Sequence, residues 1–221
     1  MKIIEQALNK SKNPAIGFSG GKDSTVILDL IRKINPDVPA VFCNTGVEHQ
    51  LTIKYIKKIP NLIMLHPEHT FWEAIDQMGH YPMMKGKDST RTNLCCEWLK
   101  DRPMKNFIKE YNIDLVFDGL TSAESWQRHM FLTHYGKLHK VKSWGNIWKC
   151  HPISDWKPID VWRYIHEHKL SYNKIYDPPI SSHRCGCITC TAHIGWEERL
   201  SRESPKLLSK ILREKGQLQL I

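Results

Sequence analysis

Short apolar runs alternate along the chain with stretches in which apolar residues recur every three or four positions. The runs at residues 15–18, 38–43, 62–65 and 115–117 have the length of buried strands. Helical spacing follows the first run, at Val26, Ile27, Leu30, Ile31 and Ile34, and residues 53–58 suit a second helix. Strands separated by helices pair in parallel through right-handed crossovers. The pattern therefore predicts an α/β fold with a mostly parallel sheet.

Later parts of the chain carry weaker signals. Residues 80–92 lack periodicity and predict a loop, while Ser154 or Asp155 is the predicted cap of a helix that runs through Ile165. Residues 196–212 predict a closing helical extension that is interrupted at Pro205. Because no repeat or clear linker is present, we predict one domain over residues 1–221, with a cysteine-containing and helical part from about residue 180.

Composition places the chain among ordinary globular proteins. It has 221 residues, of which 41% are hydrophobic and 25% charged, so disordered and fibrous classes are disfavoured. No stretch approaches the roughly 20 apolar residues of a membrane span, and the amino terminus lacks the features of a signal peptide. We expect a cytoplasmic protein without a membrane partner.

The net charge of +9 predicts attraction to phosphate-rich partners, either nucleotides or nucleic acid. Aromatic and basic residues are interleaved in the second half of the chain, an arrangement that can stack and neutralise a nucleic-acid strand. An aromatic core with solvated lysines explains the same pattern equally well. The residues concerned are Trp144, Trp148, Trp156 and Trp162 with Lys140, Lys142, Lys149 and Arg163, and a later basic run comprises Arg199, Arg202, Lys206, Lys210, Arg213 and Lys215.

A glycine-rich turn lies between the first predicted strand and its helix. Its residues are Ser19, Gly20, Gly21, Lys22, Asp23 and Ser24. The glycines let backbone amides approach phosphate oxygens, the helix terminus adds partial positive charge, and Lys22 can neutralise a phosphate. The alternative is a plain turn in which Ser24 or Asp23 caps the helix. The spacing differs from the dinucleotide fingerprint and from Walker A, so we interpret the turn as a separate kind of anion cradle.

Seven cysteines in a reducing compartment favour metal ligands, catalytic thiols or core residues over disulfides. Two close pairs, Cys95 with Cys96 and Cys187 with Cys190, can bring four thiolates together around an iron-sulfur cluster or zinc. Unrelated buried thiols are a third possibility. Outside these pairs, Cys43 is a core residue or a thiol acceptor, Cys185 a spare ligand, sulfur carrier or inert thiol, and Cys150 a core residue. Of the twelve histidines, His134, His139 and His151 carry weak indications of a functional role.

The residues around these motifs resemble a known family. The glycine-rich turn resembles the SGGxDS loop of PP-loop ATP pyrophosphatases. The segment from Cys95 to Pro103 resembles the CCxxxKxxP motif of iron-sulfur adenosine-phosphosulfate (APS) reductases, and residues 186–191 resemble their GCxxCT motif. We identify the chain as a member of the phosphoadenosine-phosphosulfate (PAPS) reductase family. The resemblance implies an adenine nucleotide alpha hydrolase-like fold and a [4Fe-4S] cluster on Cys95, Cys96, Cys187 and Cys190, with Lys100 near cluster and substrate.

Further matches occur in the same order and extend the resemblance over roughly residues 14–212. Residues 41–46 are similar to a strand that ends in a Thr-Gly turn, residues 119–128 to a G-x-R-x-x-E-S-x-x-R element, and residues 152–162 to a PI-x-x-W-x-x-x-D-V-W helix entry. The resemblance implies nucleotide binding by Ser19, Gly20, Gly21, Lys22, Asp23, Ser24, Thr45, Gly46, Gly119, Glu124 and Arg128.

Three departures from the family pattern affect the expected substrate. Thr121 stands where the G-x-R element has arginine, which removes a cation for the nucleotide's anionic groups. The reductases attack the sulfonucleotide with a cysteine in a carboxyl-terminal tail, whereas no cysteine follows Cys190 here. APS reductases also carry a degraded phosphate loop, whereas residues 19–24 are complete. The intact loop favours ATP as the nucleotide.

We therefore expect an enzyme that cleaves ATP between the α and β phosphates and couples the cleavage to sulfur transfer. The expected catalytic residues are Lys22, Asp23 and Lys100, and Mg²⁺ is expected as a further cofactor near Asp23. One alternative is an APS or PAPS reductase that takes a thiol or electrons from a partner protein. Another is a non-catalytic, cluster-containing subunit that binds nucleic acid. The sequence leaves the acceptor and the oligomeric state open.

Overall fold

The computed structural model describes residues 2–83 and 93–215. The predicted loop over residues 80–92 lies mainly outside the described residues. Within them, six strands form one sheet in the order β3-β2-β1-β4-β6-β5. The strands are β1 (Pro14–Gly17), β2 (Ala40–Cys43), β3 (Leu62–Leu65), β4 (Leu115–Phe117), β5 (Leu138–Val141) and β6 (Ile147–Cys150).

Neighbouring strands pair in parallel except for β5, which runs antiparallel to β6. The predicted α/β fold and its four predicted strands are confirmed. The helices are α1 (Lys2–Leu8), α2 (Lys22–Arg32), α3 (Gln50–Ile56), α4 (Phe71–Met78), α5 (Leu94–Cys96), α6 (Arg102–Glu110), α7 (Trp126–Tyr135), α8 (Pro158–Glu167), α9 (Trp196–Glu203) and α10 (Pro205–Glu214). A π-helical turn, Glu97–Asp101, joins α5 to α6.

Side chains alternate between the two faces of the sheet and so build two cores. Ile16 of β1 faces a core that contains residues of α1, α2, α3 and α8, whereas Ala15 faces a smaller core formed with α6. This alternation is the period of two expected of a strand that is covered on both faces. A third core, which includes Phe71, Leu200 and Ile211, packs α4, α9 and α10 around the segment of Cys95 and Leu99.

Two features of the second half differ from the sequence prediction. Strands β5 and β6 were not predicted, because their short and mixed sequences lack an apolar run. Helix α8 is capped at Lys157, not at Ser154 or Asp155, and the Asp160 carboxylate accepts the Lys157 backbone N–H at 2.9 Å. Proline at the first helical position favours this later start. The predicted interruption at Pro205 is confirmed, since α9 ends at Glu203 and α10 begins at Pro205.

The strand order reverses direction between β1 and β4. From β1 the chain continues outward to β2 and β3, and it then returns to add β4 on the other side of β1. Parallel sheets bind ligands at the carboxyl ends of their strands, at such a reversal. The turn after β1 and the turn after β4 therefore flank the expected ligand crevice. No helix in the described parts of the chain is long and apolar enough to cross a membrane.

Candidate functional site

We call the turn after β1, residues 19–24, the phosphate turn, after its predicted role as an anion cradle. Gly20 lies in the left-handed region at φ 74°, where a side chain is strained. The hydroxyl of Ser24 and that of Thr25 each donate to the Gly21 carbonyl at 2.9 Å, and the Ser19 hydroxyl donates to Ser24 at 3.2 Å. These bonds tie the turn to the first turn of α2 and hold it in one shape.

Lys22 and Asp23 form a close ion pair at the start of α2. The Lys22 ammonium lies 2.6 Å from the Asp23 carboxylate, and the two side chains are only 13% and 18% exposed. The Lys22 backbone N–H donates to the Tyr176 hydroxyl at 3.1 Å. Asp23 thus orients Lys22, and Tyr176 contacts the amide at which a phosphate oxygen is expected to bind.

Residues after β4 form the opposite wall of the crevice. A Cβ atom on Gly119 would lie 2.9 Å from the Asp23 carbonyl carbon, so only glycine permits this approach to the phosphate turn. Glu124 forms an ion pair with Arg128 on α7. The pKa of Arg128 is lowered by burial and by the nearby charge of Arg184, and raised by the charges of Asp118 and Asp23. Arg128 therefore lies close to both walls.

The turn after β2 connects the crevice to the second cysteine pair. Gly46 has φ 77°, and the Thr45 hydroxyl donates to the Glu48 carboxylate at 2.6 Å. The Thr45 hydroxyl also lies 3.4 Å from the Cys187 sulfur, and Glu48 forms a β-bridge with Cys187. Glu48 did not stand out in the sequence, yet one of its carboxylate oxygens is buried and has no hydrogen-bond partner among residues 2–83 and 93–215.

Cys95 lies within electrostatic reach of the other three predicted cluster cysteines. The pKa of the Cys95 thiol is raised by a hydrogen bond with Cys96, by burial, and by the charges of Cys96, Cys187 and Cys190. No three or more His, Cys, Asp or Glu side chains in residues 2–83 and 93–215 are arranged around a single metal-ion position. In a [4Fe-4S] cluster the four thiolates bind different irons, so they need not approach as ligands of one ion do. The donor set fits such a cluster.

Lys100 lies between the cysteines and the nucleotide crevice. Its pKa is held above the ordinary value by the charge of Cys187, by Cys96, by Glu48 and by a hydrogen bond to Cys187, although burial lowers it. Lys100 also lines a cavity of about 200 Å³ whose walls include Ser19, Cys43, Glu48, Met104 and Trp144. Lys100 thus contacts the Cys187 thiol and also forms part of the cavity wall.

Arg199 of α9 holds the backbone of the second cysteine pair. Its guanidinium donates to the carbonyls of Cys187, Ile188 and Cys190 at 3.2, 2.8 and 3.1 Å. The residue is 5% exposed. Our assignment of Arg199 to a basic surface was therefore wrong, because this arginine faces the carbonyls of the cysteine loop.

The remaining cysteines occupy different environments. Burial raises the pKa of Cys150 to about 12 and that of Cys43 to about 11, which disfavours the thiolate form. Cys150 is a core residue as predicted, whereas Cys43 lines the cavity. The Cys185 thiol lies against the phosphate turn and donates to the Ser19 carbonyl at 3.5 Å.

The tryptophans near basic residues contact other side chains of the protein. The Lys149 ammonium lies 3.7 Å from the centre of the Trp144 ring, and the Lys140 ammonium lies 5.2 Å from that of Trp148. Trp162 contacts Tyr172, Tyr176 and His166. The rings therefore pack within the protein, as the alternative of an aromatic core with solvated lysines expects, although Lys140 and Lys149 also contact ring faces. Nucleic-acid binding stays a prediction.

A family model and a reductase relative match most of the chain. The model described as "Phosphoadenosine phosphosulfate reductase domain" matches residues 13–193. An adenosine 5'-phosphosulfate reductase of Geobacillus thermodenitrificans is 31% identical over 180 residues, which cover 79% of this chain and 71% of that protein.

An uncharacterised protein of Methanocaldococcus jannaschii is 34% identical over 215 residues, which cover 95% of this chain and 49% of that protein. A second uncharacterised protein of the same organism is covered over 44% of its length. The chain thus spans about half the length of these two relatives.

Solved structures support the fold. A PAPS reductase from Candida auris has a TM-score of 0.59 and 21% identity, covering 80% of this chain and 82% of that one. A U34-tRNA thiolase from Methanococcus maripaludis, solved with its [4Fe-4S] cluster, has a TM-score of 0.54 and 17% identity. The match covers 100% of this chain and 78% of the thiolase chain. Both agree with the adenine nucleotide alpha hydrolase-like fold. The family match over residues 13–193 and the 31% identical reductase show that the chain belongs to the phosphoadenosine phosphosulfate reductase family of enzymes.

Proposed function

We propose that the chain binds ATP in the crevice between β1 and β4 and cleaves it between the α and β phosphates. An acceptor oxygen attacks the α phosphorus, the bond to the β phosphate breaks, and pyrophosphate leaves. A sulfur donor at the oxidation level of sulfide then attacks the adenylylated acceptor, and AMP departs with the oxygen. The observation that carries this proposal is the complete, internally bonded phosphate turn from Ser19 to Ser24.

The turn residues would hold the pyrophosphate end of ATP. The amides of Gly20 and Gly21, the hydroxyls of Ser19 and Ser24, and the Lys22 ammonium supply donors and positive charge where charge develops on the leaving group. Asp23 would orient Lys22 through their 2.6 Å ion pair, or share a Mg²⁺ ion with the phosphates. Such chemistry needs positioning and charge neutralisation more than a protein nucleophile.

The other predicted residues would bind the rest of the nucleotide. Thr45 and Gly46 lie after β2, and Gly119, Glu124 and Arg128 lie along the opposite wall. The cavity beside Ser19 is lined by polar residues such as Glu48 and Lys100 and by apolar residues such as Met104. This mixture suits a nucleoside, which presents an apolar ring face and polar edges.

Cys95, Cys96, Cys187 and Cys190 would hold a [4Fe-4S] cluster, which when bound supplies redox-active iron and a fixed charge beside the crevice. Lys100 would balance part of that charge and the charge of the substrate, because its ammonium is hydrogen-bonded to Cys187 and the residue forms part of the cavity wall. Arg199 would fix the backbone of residues 187–190. A reducing, cytoplasmic setting and a single domain over residues 1–221 are parts of this proposal.

A second candidate function is reduction of APS or PAPS. The relatives named adenosine 5'-phosphosulfate reductase support it, and a sulfonucleotide would also place anionic groups near Lys100. In this alternative, a partner such as a small dithiol protein would supply the nucleophilic thiol or the electrons. In the first candidate function, a nucleic acid is one class of acceptor that the net charge of +9 suits.

Competition calorimetry distinguishes the two nucleotides. We expect a non-hydrolysable ATP analogue with a methylene bridge between the α and β phosphates to bind the iron-loaded chain more tightly than APS, because only ATP carries the pyrophosphate group that fits residues 19–24. AMP serves as the control without a second phosphate. Tight APS binding with no measurable binding of the ATP analogue would reverse this ranking in favour of the reductase.

A further inference from the structure

A buried histidine, His151, is hydrogen-bonded to Asp118, the first residue after β4. The His151 ring nitrogen Nδ1 lies 2.5 Å from Oδ1 of Asp118. The same Oδ1 accepts the Leu120 backbone N–H at 3.1 Å, which closes the turn that contains Gly119. His151 is 2% exposed, and its other ring nitrogen has no hydrogen-bond partner in the described residues. The imidazole is therefore fixed by packing and by Asp118.

This turn rests directly on the phosphate turn. The position of a Cβ atom on Gly119 lies 2.9 Å from the Asp23 carbonyl carbon and 3.1 Å from its oxygen. Because there is no room between the two backbones, a shift of the 118–120 turn moves Asp23. Asp23 in turn holds the Lys22 ammonium at 2.6 Å. A continuous set of contacts thus joins His151 to the lysine that is expected to meet the phosphates.

The charged groups along these contacts also affect one another electrostatically. Burial tends to raise the pKa of Asp118, but hydrogen bonding to His151, the charges of His151 and Lys149, and the Leu120 N–H together hold that pKa below its ordinary value. The ionised carboxylate raises the pKa of the Arg128 guanidinium, as Asp23 also does. Asp118 therefore contributes to the charge balance of both walls of the crevice.

We propose that His151 is a positioning residue for the nucleotide phosphates, acting through Asp118 and the 118–120 turn on Asp23 and Lys22. The inference rests on the proposed function only in that the phosphates of a nucleotide occupy residues 19–24. The simpler alternative is a core histidine that stabilises β6 without affecting the ligand. The two differ in whether substitution of His151 acts selectively on phosphate binding.

Three variants separate these alternatives. His151→Leu removes the hydrogen bond to Asp118 but keeps an apolar side chain in the core. His151→Asn keeps a donor, because its amide nitrogen, like imidazole Nδ1, is two bonds from Cβ. His139→Leu is the matched control, since His139 is 9% exposed and its ring centre lies 5.2 Å from that of His151, yet it makes no hydrogen bond to Asp118.

The measurement is calorimetry of the non-hydrolysable ATP analogue and of AMP with iron-loaded proteins, alongside their thermal unfolding. We expect His151→Leu to weaken binding of the ATP analogue about tenfold or more, because loss of a hydrogen bond to a charged group has an effect of that size. AMP binding should change little. His151→Asn should restore most of the affinity, and His139→Leu should bind the analogue as the wild type does, even if both leucine variants unfold at lower temperature.

The proposal is overturned if His139→Leu lowers the affinity for the ATP analogue as much as His151→Leu does. It is also overturned if His151→Asn does not restore that affinity, or if His151→Leu lowers the affinity for AMP as strongly as the affinity for the analogue. Wild-type protein that binds APS and not the ATP analogue would contradict the proposed function instead. In that case the affinities for APS and for AMP are measured with the same variants, and the proposal for His151 requires the same order among the variants. If the wild type binds neither nucleotide, both proposals fail.

Discussion

Cys187→Ser is expected to lose most of the iron that the wild-type chain binds after anaerobic reconstitution, where we expect about four irons per chain from a single [4Fe-4S] cluster. Serine supplies a hard oxygen in place of a soft thiolate, which iron-sulfur clusters require. Cys187 also contacts Thr45 and is hydrogen-bonded to Lys100. We therefore expect replacement of Cys187 to lower the iron content and to change the electrostatic environment of Lys100.

Cys185→Ser is the matched control for iron content. Cys185 lies two residues earlier, and its thiol donates to the Ser19 carbonyl. We expect Cys185→Ser to keep its iron, measured by colorimetric iron analysis and by the visible absorption of the cluster. Stoichiometric zinc without iron in the wild type would refute the cluster. Equal loss of iron in the two variants would refute the assignment of Cys187 as a particular ligand.

Lys22→Ala is expected to weaken binding of the ATP analogue by roughly ten- to a hundredfold, because removing a charged phosphate contact typically costs about 1.5 to 3 kcal/mol. Lys22 is mostly buried and is oriented by Asp23, so little of this interaction is lost to solvent screening. AMP binding should fall much less, since AMP lacks the β and γ phosphates.

Lys33→Ala is the control for the loss of one positive charge near α2. Lys33 lies at the opposite end of that helix, where it pairs with Asp29 at 2.8 Å and contacts Tyr164. Its replacement should leave nucleotide affinity unchanged in the same titrations. An unchanged affinity of Lys22→Ala for the ATP analogue, with normal folding, would mean that residues 19–24 do not bind the phosphates.

Local patterns were sufficient to predict the first half of the fold and the phosphate turn. The strands at residues 15–18 and 62–65 are apolar runs of ordinary strand length, and the glycines mark the turn that follows the first of them. The grouping of Cys95 and Cys96 with Cys187 and Cys190 as one candidate site could also be predicted, because close cysteine pairs with specific neighbours carry information about chemistry.

Contacts between distant residues could not be predicted in this way. His151 and Asp118 are 33 positions apart in sequence, and neither lies in a recognisable local motif. Arg199 occurs in an amphipathic helix among other basic residues, so its sequence pattern is that of a solvated surface. Only the fold shows that Arg199 donates to the carbonyls of residues 187, 188 and 190.

The most direct test of ATP cleavage is product analysis with ATP labelled at the α phosphate. The iron-loaded chain is incubated anaerobically with labelled ATP, sulfide and either tRNA or a small-molecule extract as acceptor, and a parallel reaction contains APS and dithiothreitol. The account predicts AMP and pyrophosphate in equal amounts from ATP, with loss of both in Lys22→Ala. Sulfite release from APS, with no AMP or pyrophosphate from ATP under any acceptor, would contradict it.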